Sequence, residues 1–178
     1  MKFQLLILLL FCNSTIALNQ HKVPPEEPIT HINLSHKYDT INAAAIAALK
    51  IAAPLSKQEE WGGAIMKYSG KFYYTNAVTL HLPNTIDFVI QNYMGAVIVG
   101  MYHTHPISPS VELPQDTEKF SVTDMQTALR YEVYSYIWSE YDNTIRVFIP
   151  HKTLVIEELN LNGFFDLYSY GDIILKTL

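Results

Sequence analysis

Five consecutive residues, Tyr102-His103-Thr104-His105-Pro106, carry the plainest chemical capacity in this chain. Side chains alternate faces along an extended segment, so His103 and His105 point the same way and their imidazoles can converge on one ion. Pro106 lacks the amide that would continue a ladder, which leaves the pair at a strand end, held with little entropy still to lose. Downstream, Ser121-Val122-Thr123-Asp124 opens a helical pattern and offers a carboxylate in its first turn. Two imidazoles and Asp124 make a three-ligand shell with a fourth tetrahedral position open, the arrangement that separates a catalytic zinc site from a structural one. Zinc lowers the pKa of a bound water to about 7, which makes hydroxide available near neutrality. The proton released needs an acceptor. Glu60, opening the apolar run Trp61-Gly62-Gly63-Ala64-Ile65, is the candidate, and Glu59 competes with it. Alternation sends the two glutamates to opposite faces, so only one of them can reach the site.

In isolation each part has an ordinary explanation. His-x-His is common in surface strands, Ser-x-x-Asp caps helices, and a glutamate at a strand end is usually solvated. The order and setting carry the reading: a Glu opening an apolar strand, two histidines closing a buried one, and an aspartate in the first turn of a helix.

The elements that must position these groups follow from periodicity. Residues 18–37 are polar and Pro-rich, with Val23-Pro24-Pro25-Glu26-Glu27-Pro28 at their centre, and read as an extended arm or linker. Asp39 and Thr40 are good caps for an alanine-dominated helix over 41–53, which Pro54 ends. Aromatic and β-branched residues on either side of Ser69-Gly70 predict a hairpin of 61–68 and 71–79. A short strand or helix falls within 85–91, and periodicity does not choose between them. Residues 95–102 (GAVIVGMY) are apolar on both faces, as in a central strand covered on both sides. A loop over 106–120 follows. Val122, Met125, Leu129, Val133, Tyr136 and Ile137 share one face at helical spacing, which predicts a helix from Ser121 through that stretch. Two further strands are expected at 144–149 and 153–158, and a packed tail of undetermined type from Phe164. The sum is an α/β sandwich, one sheet with flanking helices.

At 178 residues, 49% hydrophobic and 16% charged, the chain suits one domain and excludes a disordered tail, a collagen-like repeat or a coiled coil. Seventeen Asp and Glu against twelve Lys and Arg give a net charge of −5 without any cationic cluster, so nucleic acid is not an expected partner. The N-terminus differs in kind. Lys2, an unbroken apolar run from Leu5 to Cys12 and the small residues of Thr15-Ile16-Ala17 have the make-up of a secretory signal peptide. Asn13-Ser14-Thr15 interrupts the run well short of the roughly 20 apolar residues that a span requires, so membrane contact is expected only in transit. Phe11 before Cys12 argues against lipidation. Cleavage after Ala17 removes Lys2, taking the net charge to −6, and Cys12, the only cysteine. A secreted or periplasmic domain without thiols has no disulfide, Cys nucleophile or thiolate ligand, so its metal site must be built from nitrogen and oxygen. The expected division is a signal peptide at 1–17, the arm at 18–37 and one domain over 38–178.

Together, Glu60, His103-Thr104-His105-Pro106 and Ser121-Val122-Thr123-Asp124 resemble the JAMM (MPN-plus) metalloprotease family, whose pattern is an upstream Glu, then His-x-His-Pro, then Ser-x-x-Asp. The resemblance covers about residues 60–129. It implies a single-domain, deaminase-like α/β/α sandwich with a mixed central sheet, and hydrolysis of peptide or isopeptide bonds in a protein or peptide substrate. It also implies zinc held by His103, His105 and Asp124, Glu60 as the acid/base, and Ser121 as the donor that stabilises an oxyanion. In the family the glutamate lies three residues before a glycine, a spacing met by Glu60 with Gly63 and by Glu59 with Gly62. Glu60 is preferred because the aromatic residue after it better fits the start of a buried strand. The chain departs from the pattern in its gap of eighteen residues between His105 and Asp124, longer than the family's usual one. A surface loop absorbs such an insertion at little entropic cost, but it brings Glu112, Asp116 and Glu118 in as rival ligands. Export is the second departure, since the best-known members act on ubiquitin conjugates inside eukaryotic cells. Similar long-gap versions occur in bacterial secreted or toxin-associated domains.

Two functions compete on these grounds: an exported zinc hydrolase, and a catalytically silent JAMM-like module secreted to bind a partner protein. Metal-free relatives usually lack a ligand, and all are present here. A zinc deaminase would require a Pro-Cys-x-x-Cys segment, which the chain does not have. His21, His31, His36, His81 and His151 are expected as surface histidines, and the tyrosines of 131–136 and 168–170 as packing residues.

Overall fold

A computed structural model of the chain describes residues 29–34, 36–81, 86, 89–90, 95–107, 119–150 and 173–177. Ser69 and Gly70 close the expected hairpin with φ of 49° and 75°, the pair of left-handed residues whose twist suits a two-residue hairpin turn. They join β2 (Gly62–Tyr68) to β3 (Lys71–Tyr74), after β1 (Ile29–Thr30) and before β4 (Val89–Ile90), which pair with each other in parallel. The main sheet continues through β5 (Val97–His105), β6 (Tyr134–Ser139), β7 (Thr144–Phe148) and β8 (Ile173–Thr177), in the order β3-β2-β5-β6-β7-β8. β5 and β6 are parallel and the other neighbours antiparallel, which makes the sheet mixed.

Among the described residues one helix lies on each face. In α1 (Ile41–Ala52) the Thr40 hydroxyl caps the first turn by accepting from the Ala43 amide at 3.2 Å, and a 3₁₀ turn at Ala53–Leu55 carries Pro54. The small side chains of Ala44, Ala45, Ala48 and Ala52 pack against Ile65, Tyr102, Tyr136 and Trp138. These two tyrosines each keep a polar partner, as buried hydroxyls require: Tyr102 donates to the Thr75 carbonyl at 2.6 Å and Tyr136 to Asn42 Oδ1 at 2.7 Å. On the opposite face α2 (Val122–Tyr131) buries Met125 and Ala128 against Phe120, Ile137 and Phe148. The expected α/β sandwich is the observed architecture.

Two boundaries differ from expectation. The helix from Ser121 stops at Tyr131, where Glu132 turns left-handed at φ 52°, and the next residues form β6 instead of prolonging the helix. A strand covered on both faces is apolar at successive positions, so Val133, Tyr136 and Ile137 match a helical period by coincidence. The strand expected at 95–102 runs on to His105, which puts both histidines inside the ladder, in register with Ile137 and Ser139 of β6. The described part of the arm lies along β3, where the Asn33 amide donates to the Tyr74 carbonyl at 2.8 Å and the Asn76 amide to the His31 carbonyl at 2.9 Å. The signal-peptide residues, the strand expected at 153–158 and the tyrosines of 168–170 lie outside the described residues. Among the described residues no helix is long and apolar enough to cross a membrane.

Candidate metal centre

Alternation along β5 sends Tyr102 and Thr104 towards α1, and His103 and His105 to the face that carries α2. The two imidazoles meet Nε2 to Nε2 at 2.9 Å. Asp124, in the first turn of α2, brings Oδ1 to 3.2 Å from His103 Nε2 and Oδ2 to 3.5 Å from His105 Nε2. Bonds of about 2.0–2.1 Å in a tetrahedral zinc shell separate neighbouring ligand atoms by about 3.3 Å. The observed spacings bracket that edge, so the donor set fits a single ion. All three side chains are buried, at 5%, 8% and 5% exposure. Two nitrogens and a carboxylate oxygen, with no sulfur, suit a borderline divalent ion of the first transition row.

Ser121 explains how the helix holds its carboxylate still. The Ser121 hydroxyl accepts from the Asp124 amide at 3.1 Å, while the Ser121 amide and hydroxyl each donate to Asp124 Oδ2 at 2.8 Å. This reciprocal cap starts α2 and fixes the Asp124 rotamer in one stroke. Burial pushes the Asp124 carboxyl up, but the charges and hydrogen bonds of His103 and His105 outweigh it and hold the group well below the usual carboxylate range. The group is therefore an anion ready to bind a cation.

Glu60 is buried just ahead of β2. Burial drives its carboxyl up to about 7, Asp124 adds to the rise, and His103 and His105 oppose it. All three members of the cluster thus act on Glu60 electrostatically. Its neighbour Glu59 turns away: Glu59 Oε2 lies 2.9 Å from His81 Nδ1 and accepts from the Thr79 hydroxyl at 3.4 Å, in a half-exposed position. Of the adjacent glutamates, Glu60 is the one whose carboxyl couples to the charges of the cluster.

Glu60 is tied to the histidines through a residue that sequence reasoning passed over. Thr104, between the two histidines, accepts from the Trp61 amide on its Oγ1 at 3.0 Å, and its own amide donates to the Trp61 carbonyl at 2.9 Å. Gly62 is the other overlooked position. A Cβ there would come within 2.7 Å of the Tyr102 carbonyl oxygen and 3.0 Å of His103 Cβ, so a bare backbone leaves room for the first histidine. A Gly pair inside an apolar strand was its only trace in the sequence. The rival acids Glu112, Asp116 and Glu118 lie outside the described residues, as do His21 and His151. His81 is exposed and pairs with Glu59, away from the cluster.

Among the described residues, His103, His105 and Asp124 are the group able to hold a metal ion, their ligand atoms all within 4.8 Å of one another. Comparison with known proteins finds no matching family model, no matching curated protein and no matching solved structure.

Proposed function

We propose that the chain is an exported zinc-dependent hydrolase of JAMM type, cleaving a peptide or isopeptide bond in a protein or peptide substrate. The observation that carries this reading is the meeting of two imidazole nitrogens and one carboxylate at ligand-edge spacing, with a buried Glu60 coupled to them electrostatically. A divalent ion held there supplies Lewis acidity and makes a water acidic enough to attack near neutral pH.

The rest of the chemistry belongs to the chain. Glu60 takes a proton from the attacking water as the oxygen bonds to the scissile carbon, then passes that proton to the departing amine as the carbon–nitrogen bond breaks. A carboxyl near 7 is matched to both halves of that task, since it is neither too weak a base nor too weak an acid at neutrality. Ser121 supplies the hydrogen bond to the developing oxyanion, using the hydroxyl proton that rests on Asp124 Oδ2 in this structure. The apolar N-terminal run supports export, and the absence of a cationic cluster supports a protein or peptide substrate over nucleic acid.

Metal analysis of the purified chain beside Asp124→Ala, with hydrolysis of a broad peptide and isopeptide library, tests the proposal. One zinc per wild-type chain, lost in Asp124→Ala together with cleavage, is the expected result. A wild-type protein that retains no zinc and gains no thermal stability from added zinc overturns it.

A further inference from the structure

Ser139 stands in register with His105 across the parallel β5–β6 pair, and Ser135 stands in register with Met101 four residues earlier. Along β6, Tyr136 and Trp138 pack towards α1 while Ile137 packs with Met125 and Ala128 of α2. Alternation therefore puts Ser135 and Ser139 on the face shared with the two imidazoles. Both serines are fully buried, and neither hydroxyl has a hydrogen-bond partner among the described residues. Buried hydroxyls are nearly always paired, because leaving one unpaired sacrifices its bond to water without return.

Neither residue in register with Ser139 pairs with its hydroxyl. On one side stands Thr144, whose Oγ1 already donates to Asp142 Oδ1 at 2.7 Å and accepts from Arg146 Nε at 3.1 Å. On the other side, His105 Nε2 is turned towards His103 Nε2 and Asp124 Oδ2. What remains is a hydroxyl with a free proton and free lone pairs beside the second histidine. We infer that Ser139 is a ligand-binding residue of the metal centre, its hydroxyl hydrogen-bonding an oxygen of a carbonyl, carboxylate or hydroxamate group bound at the ion next to His105. This inference rests on the metal centre proposed above. Ser135 has the same strand, face, burial and unpaired state, but lies about 13 Å further along β6 at roughly 3.3 Å per residue, which makes it a built-in control.

The test uses the full chain loaded with Co(II), whose visible spectrum reports ligand exchange, titrated with acetohydroxamate. Ser139→Ala is expected to weaken acetohydroxamate binding about five- to twentyfold, the loss of one hydrogen bond, with Co(II) affinity within about twofold of wild type. Ser139→Thr, which keeps a hydroxyl, and Ser135→Ala are both expected to bind as wild type does. Removing an unpaired hydroxyl leaves the fold intact, and thermal melts of both alanine variants check this. Unchanged affinity in Ser139→Ala, or an equal loss in Ser135→Ala, overturns the role given to Ser139 alone. A wild-type chain that takes up no Co(II) overturns the metal centre, and this inference with it.

Discussion

Thr104 and Trp61 exchange two hydrogen bonds, one through the Thr104 hydroxyl and one through its amide, so the residue between the two clustered histidines is pinned to the residue after Glu60. The acid/base candidate and the two imidazoles are therefore parts of one local frame rather than three independent side chains. Isosteric Thr104→Val leaves the Trp61 amide without its acceptor and is expected to cost about 1–3 kcal/mol. Zinc content should stay at wild-type level while turnover falls, because the ligands keep their strand and Glu60 loses its reference. Thermal melts, metal analysis and kinetics on the same sample decide it, and equal loss of metal and turnover would contradict the frame.

Glu60→Gln is expected to keep the metal and lose cleavage by a factor of about 10²–10⁴, the usual contribution of a positioned proton-transfer group. The same variant has a signature without metal. In the folded state the Glu60 carboxyl ionises at about 7 against its ordinary 4.5, so the folded protein holds the proton more tightly than the unfolded one. Stability contributed by that proton is present below the ordinary value and is lost as pH rises to about 7, after which the loss is constant. Its full size is of order 3 kcal/mol at 1.36 kcal/mol per unit. Denaturant titrations of metal-free wild type and Glu60→Gln across pH 4 to 8 should therefore diverge in favour of the glutamine variant at the alkaline end.

Gly62→Ala places a methyl group against the Tyr102 carbonyl and His103 Cβ. Overpacking of this kind costs about 1–3 kcal/mol, and here the strain falls on the strand that carries both imidazoles. Zinc affinity should drop along with the melting temperature, whereas Gly70→Ala, in open space at the hairpin tip, should lower the melting temperature through its left-handed backbone and leave zinc affinity alone.

Asp142 offers an acid-sensitive contact away from the centre. Burial raises its carboxyl, but hydrogen bonds from Thr144 and Arg146 and the Arg146 charge bring it below its ordinary value, with Arg146 Nη2 at 2.7 Å. Its contribution is present above the ordinary carboxylate range and disappears as pH falls through the depressed folded value. Asp142→Asn should be less stable than wild type at neutral pH, by about 1 kcal/mol, and the gap should close in acid. A gap that persists at low pH would assign the loss to shape rather than charge.

The sheet order was not readable from periodicity, but its consequences at the site were. His103 and His105 announced a shared face through their spacing, and Asp124 announced a first-turn carboxylate through Ser121, because both signals are local. Two local signals misled the boundaries. Val133, Tyr136 and Ile137 mimic a helical stripe because β6 is covered by a helix on each side, and the apolar run of residues 95–102 stops short of the strand, which keeps pairing with β6 through the polar residues His103, Thr104 and His105 up to Pro106. Thr104 and Gly62 were invisible for another reason. Their importance comes from Trp61 and His103 across a strand pair, and no single segment contains that pairing.

Asp124 is at once the lock on the opening turn of α2 and the acidic member of the cation cluster. An exchange of this residue for one that cannot accept from Ser121 would therefore also fray the crossover between the two parallel strands. Asparagine, which preserves the cap and weakens the charge, is the cheapest exit, and it is the replacement to look for in any inactive descendant of this chain.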